Sequence, residues 1–103
     1  MAFQRAASTS DVPEGAVRVF NVGGRSIALA HLTSGAFYAI DNLCTHDNGP
    51  LGEGQLVGET VECPRHGARF DVKTGAVRAL PAVRPVKAYP VQVEGDEVRV
   101  DVG

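Results

Sequence analysis

The chain has no tryptophan, one methionine, two cysteines and three histidines among 103 residues, and only 6% of it is aromatic. Twelve glycines and six prolines accompany that shortage, a combination that predicts many turns between short strands. No apolar run approaches the roughly 20 residues of a membrane span. The first ten residues lack an apolar core of signal-peptide length, so the expected home is the cytoplasm. No basic excess exists either. A net charge of -2 and a pI near 5.8 argue against nucleic acid as the main partner, and a mildly acidic surface is compatible with docking onto basic patches. The length fits one domain, residues 1–103, able to bury a core but with no room for a second, catalytic one. Two cysteines in a reducing compartment, each with a histidine for company, do not suit a secreted disulfide.

The few soft ligands present are concentrated. Cys44-Thr45-His46 is followed, after sixteen intervening residues, by Cys63-Pro64-Arg65-His66-Gly67, so four of the five cysteines and histidines fall into two boxes. The spacings, Cys-x-His and Cys-x2-His, are too short for an i, i+4 helical pair, which assigns both boxes to loops. Thiolate and neutral imidazole suit zinc or iron-sulfur clusters rather than magnesium or calcium. A structural zinc site with two Cys and two His satisfies the same ligand set, although zinc knuckles usually pair Cys with Cys and His with His.

The pattern Cys44-x-His46 followed by Cys63-Pro64-x-His66-Gly67 resembles the Rieske signature, in both boxes, their gap, the proline and the glycine. The likeness extends from about Ala16 to Val102 and is greatest to the small soluble ferredoxins of bacterial ring-hydroxylating oxygenases. It implies one 2Fe-2S cluster per chain, with Cys44 and Cys63 on one iron and His46 and His66 on the other. It further implies a cytoplasmic, monomeric one-electron carrier, not an enzyme, that takes electrons from a flavin-dependent ferredoxin reductase and gives them to a terminal oxygenase. Only His31 remains after the cluster is built, so this chain cannot also supply the mononuclear iron site of an oxygenase. The small Rieske-like subunit of an assimilatory nitrite reductase is the alternative within the fold, and a zinc-held interaction module the alternative outside it.

Two departures bear on the redox setting. Respiratory members of the family carry a further cysteine in each box, where this chain has Gly49 and Arg65, and hydroxyl donors where it has Ala68 and Phe70. Hydrogen bonds to sulfur favour the more negative, reduced state, so their loss predicts a potential near the bottom of the Rieske range of roughly -150 to +300 mV. The family pattern also implies a potential that falls with pH once the iron-bound imidazoles titrate.

Along the chain, strands are expected at 3–8, 16–20, 25–32 and 36–40, with Gly23-Gly24 as a hairpin turn. From Asp41 to about Pro81 periodicity fades, which marks a functional insertion. Within it, 56–63 reads as a hairpin around Gly58, 69–72 and 76–80 as short strands, and Leu80-Pro81-Ala82 as the cover of the site. Val91 and Val93, then Val98, Val100 and Val102, alternate as a closing hairpin packed on the base. The fold class is all-β, a Rieske-like antiparallel β-sandwich or barrel base with an inserted cluster-binding lobe. Side-chain expectations are a packed or surface His31, an Asp47 that is either a solvated loop carboxylate or a group tuning the site or meeting a partner, and a solvent-facing Arg65 that meets a partner. Gly49, Gly54 and Gly67 are expected in tight turns, with close backbone approach to the cluster as the functional form of the same need, and Phe70 in the core.

Overall fold

A computed structural model describes residues 3–45, 48–65, 67–80, 82 and 84–103. Among the described residues, eleven strands form three antiparallel sheets. β1 (Gln4–Ser8), β10 (Val91–Glu94) and β11 (Glu97–Val100) make a three-stranded sheet with β11 central. β2 (Ala16–Val22), β3 (Arg25–His31), β4 (Phe37–Asp41) and β9 (Ala88–Tyr89) make a second sheet in that order. β5 (Gln55–Val57), β6 (Thr60–Glu62), β7 (Arg69–Asp71) and β8 (Val77–Ala79) make the third, a meander that forms the inserted lobe.

β3 is the partition between two cores. Ile27 and Leu29 face the first sheet, joining Ala7, Val98 and Val100. Ala28 and Ala30 face the lobe, joining Cys44, Cys63, Val61 and Phe70. All four β3 residues are fully buried, because successive side chains of a strand point to opposite faces and both faces here are covered. The two alanines present little bulk toward the lobe. Removing a large side chain such as Ile27 or Phe70 from water is worth roughly 1.5–3 kcal/mol, and these clusters hold the insertion against the base.

The structure amends the expected pattern in three places. Val93 is 46% exposed, although its register opposite Val98 puts both on one face; β10 is an edge strand, and Val93 overhangs the core that buries Val98. Ala88–Tyr89 is a strand that pairs with Ala39 and Ile40, yet it is only two residues long, with Pro90 after it, and shows no alternation. Gly54 is not a positive-φ turn (φ -82°). A Cβ there would collide with the Glu62 carbonyl oxygen, so its need is close backbone approach. The rest agrees: Gly23 and Gly24 turn at φ 56° and 81°, and Phe70 is wholly buried. His31 stacks on Phe37 with centroids 3.9 Å apart, while its Nδ1 lies 2.8 Å from the Val12 carbonyl oxygen.

Candidate metal centre

Each box follows directly on a strand. β4 ends at Asp41, and Asn42 then anchors the chain: its backbone N–H donates to the Ser26 carbonyl at 3.1 Å, and its side-chain carbonyl accepts the Gly52 N–H at 2.6 Å. Two residues later Cys44 is completely buried. β6 ends at Glu62, and the next residue, Cys63, is 2% exposed. Both thiols belong to one apolar cluster with Leu51, Val61, Ala68, Phe70 and Ala82.

The two loops share one backbone solution. The Cys44 N–H donates to the Gly49 carbonyl at 2.8 Å, and the Asn48 N–H returns to the Cys44 carbonyl at 2.7 Å. The Cys63 N–H donates to the Ala68 carbonyl at 2.7 Å, and the Gly67 N–H returns to the Cys63 carbonyl at 3.3 Å. In each case the fourth residue after the cysteine has positive φ, 62° at Asn48 and 77° at Gly67. Gly67 was expected in a turn; Asn48 was missed. The signal was there, since asparagine is among the few residues that visit the left-handed region routinely, and it stands as far from Cys44 as Gly67 does from Cys63.

Of the expected ligands, the fold thus brings Cys44 and Cys63 into one core. His46 and His66, with Asp47 and Pro81, lie outside the described residues. Among the described residues no three His, Cys, Asp or Glu side chains gather to hold a metal ion, so two thiols alone do not complete a centre.

What surrounds the loops differs. The Thr45 hydroxyl donates to the Arg84 carbonyl at 2.6 Å, tying the first loop to the segment that carries buried Ala82. That segment is held in turn where the Val86 N–H donates to the Gly75 carbonyl at 2.9 Å. The second loop borders a surface recess of about 400 Å³ lined by Glu53, Gly54, Gln55, Glu62, Cys63, Pro64 and Gly67. Leu43 and Leu80 are 45% and 76% exposed beside the loops, and Arg65 is exposed as expected. Ala68 and Phe70 are buried against the cysteines and carry no hydroxyl.

Two ionisable groups are shifted from their ordinary values, one bonded to the last residue of β4 and one at the last residue of β7. Burial and the hydrogen bond it donates to Asp41, at 2.5 Å, push the Tyr89 phenol up to about 12, so it stays a neutral donor at the point where β4 releases the chain into the first loop. At Asp71, burial favours the neutral acid, but the Arg78 guanidinium and the backbone N–H groups of Lys73 and Thr74 outweigh it and hold the carboxyl below its ordinary value.

The Rieske 2Fe-2S domain family matches residues 2–90. The chain belongs to the Rieske 2Fe-2S family. The ferredoxin component of a naphthalene 1,2-dioxygenase system from Pseudomonas aeruginosa is 41% identical over 97 residues, covering 94% of this chain and 92% of that one. The ferredoxin of carbazole 1,9a-dioxygenase from Nocardioides aromaticivorans superposes with a TM-score of 0.90 at 39% identity, covering 97% of each chain. A complex of reduced oxygenase and oxidized ferredoxin in carbazole 1,9a-dioxygenase contains a chain similar at 35% identity, with a TM-score of 0.86 over 95% of this chain and 91% of that one. This Rieske protein is therefore a ferredoxin component, an electron-transfer subunit rather than a catalyst, and its cofactor is a Rieske-type 2Fe-2S cluster. The donor set fits that group. Two thiols, sealed from water by matched turns within one core, are what the thiolate half of an iron-sulfur site requires. No helix among the described residues is long and apolar enough to cross a membrane.

Proposed function

We propose that Cys44 and Cys63 bind one iron and His46 and His66 the other, and that the loaded chain passes single electrons from a flavin-dependent ferredoxin reductase to a terminal oxygenase. The observation that carries this reading is the duplicated turn: two loops far apart in sequence bury their cysteines in one core with the same pair of backbone hydrogen bonds. The oxygenase as acceptor is supported by relatives that are ferredoxin components of dioxygenase systems, and by one solved together with its oxygenase. The whole of residues 1–103 acts as one Rieske domain, monomeric and cytoplasmic, as suits a shuttle.

The cluster supplies a one-electron couple. The chain's own contribution is to hold and seal. Cys44 and Cys63 present thiolates from positions water does not reach, which favours retention of the metal. Because their backbone N–H and C=O groups are satisfied within each loop, the turns need no reorganisation when the net charge changes. Ala68 and Phe70 withhold hydroxyl donors from the sulfur side, which keeps the potential low. Thr45 and Asn42 fix the first loop to its neighbours. Redox partners must separate after each transfer, so the interface should bury less than about 1,200 Å².

The test is the content and colour of anaerobically purified protein, with Cys44→Ser, Cys63→Ser, His46→Ala and His66→Ala beside it. The parent should hold iron and acid-labile sulfide in equal amounts and give a paramagnetic signal on one-electron reduction, and each variant should lose the visible bands. A colourless parent with stoichiometric zinc would replace this reading with the interaction module.

A further inference from the structure

Building on the carrier reading, we infer that the face around the ligand loops is a cationic, apolar-centred docking surface, and that the acceptor oxygenase meets it with an acidic patch. This reverses what the net charge of -2 suggests.

The charges are segregated. Arg65 lies between Cys63 and His66, and the Arg84 carbonyl holds Thr45 of the first loop. Arg25 shares a surface recess of about 320 Å³ with Asp41, Asn42 and Leu43, the residues leading into Cys44. The Lys87 carbonyl accepts the Asp41 N–H, and its ammonium stands 5.2 Å above the Tyr89 ring. All four cations are exposed, and none forms an ion pair among the described residues. Among the described acids near this face, Glu62 is neutralised by Arg69, while Asp41, which accepts from the neutral Tyr89 phenol, and Glu53 keep their charge, two anions against the four cations. Leu43, in the recess with Arg25, is exposed apolar surface beside a cation, and Leu80 is a second exposed leucine, two residues before the buried Ala82.

The far end of the base is the opposite pole. Asp11, Glu14 and Asp96 are exposed there without an ion pair among the described residues, and Glu94 and Glu97 share Arg99. Thr9 donates to the Asp96 carbonyl and His31 lies against the Val12 carbonyl, which gathers these turns at that end. A charged partner therefore meets a dipole rather than a uniform weak acid. Such a field orients encounter, and its effect falls steeply with ionic strength.

Stopped-flow oxidation of the reduced holoprotein separates local from net charge. One electron leaves the protein and converts ferricyanide, an anion, to ferrocyanide. With the cationic face at the exit, the rate constant should fall as salt rises, by roughly tenfold between low and high ionic strength, and the cationic oxidant tris(phenanthroline)cobalt(III) should show the opposite slope. Arg65→Gln with Arg84→Gln should flatten the ferricyanide slope, and Lys87→Gln should reduce it separately. Glu14→Gln, at the far pole, should leave it nearly unchanged, and retained visible absorption checks that each variant is loaded. A parent rate that rises with salt, or a slope indifferent to the arginines, overturns the inference. Failure of the carrier reading looks different, because the protein would then take up no electron at all.

Discussion

The loop at residues 44–49 and the loop at 63–68 close with the same two backbone hydrogen bonds and place a positive-φ residue at the same step, but little else about them matches. The first is strapped: Asn42 grips Gly52, and Thr45 grips the backbone of Arg84. The second has Pro64 where the first has Thr45, and it opens onto the recess beside Glu53 and Gln55. What is held in common is the path of the backbone that buries a thiol; side chains and neighbours are the parts free to differ. Function therefore constrains the turn more tightly than it constrains what packs around it.

The largest effect should come from disturbing the support of one loop alone. A methyl group at Gly54 would collide with the Glu62 carbonyl, the last residue before Cys63. Backbone cannot yield as a flexible side chain does, so Gly54→Ala should destabilise by about 3 kcal/mol, the upper end of ordinary overpacking. Urea unfolding measures it, and iron loss to a chelator should quicken in parallel. A cost below about 0.5 kcal/mol, the level of a neutral surface change, would mean that the second loop does not depend on this approach.

Asp71 sits at the other end of the β6–β7 ladder from that loop, opposite Thr60, at the turn joining β7 and β8. Its carboxyl is held below 3.8 in the folded state, so the charged form is the one the fold stabilises. That contribution is fully present above the unfolded value and is lost as pH falls from about 3.8 through the lower folded value. Asp71→Asn should cost about 1–3 kcal/mol at pH 7, for the charge-assisted bonds lost, and the gap between variant and parent should close as the pH drops below 3.8 in chemical denaturation. A gap that stays constant would show that Asp71 matters by shape alone. Arg78 is 57% exposed, which keeps the expected cost in the lower part of that range.

Legibility from sequence followed the same division. The ligand boxes could be read because thiols and imidazoles are scarce here and carry chemistry in themselves. The base strands could be read because β3 and β11 are long enough to show alternation. The lobe could be placed but not resolved, since β5 through β8 have three residues each, too few for a period of two to declare itself. Asn48 was missed, and Gly54 was expected in a tight turn rather than against the Glu62 carbonyl, for a different reason. Their demands come from a carbonyl elsewhere in the fold or from a φ value, and neither leaves a periodic trace. The charge dipole was hidden by summation, because a net charge of -2 averages two poles of opposite sign.

A hydroxyl returned to the second loop tests whether its apolar lining sets the potential. Ala68 is fully buried in the cysteine cluster, and its carbonyl closes the Cys63 turn. Ala68→Ser adds one donor there with little added volume. If the donor reaches sulfur, the potential should rise by about 60 mV, a tenfold change for a one-electron couple. Redox titration of parent and variant reads it directly, and an unchanged value would show that a donor at this position does not set the potential.

The smallest effect, and the sharpest test of the equivalence, is an exchange at the two left-handed positions. Asn48 and Gly67 occupy φ 62° and 77°, and a Cβ at Gly67 would meet nothing within 4 Å. Any cost of a side chain there is therefore conformational rather than steric. Gly67→Ala should cost about 1 kcal/mol, the penalty an ordinary L-residue incurs in this region. Gly67→Asn, which gives the second loop the residue of the first, should cost less than that, and Asn48→Gly should lie within a few tenths of a kcal/mol of the parent. Thermal melts of the three holoproteins rank them. If Gly67→Asn were worse than Gly67→Ala, the two turns would be alike in hydrogen bonding but not in the conformational demand they make, and side-chain room near His66 would become the quantity to measure.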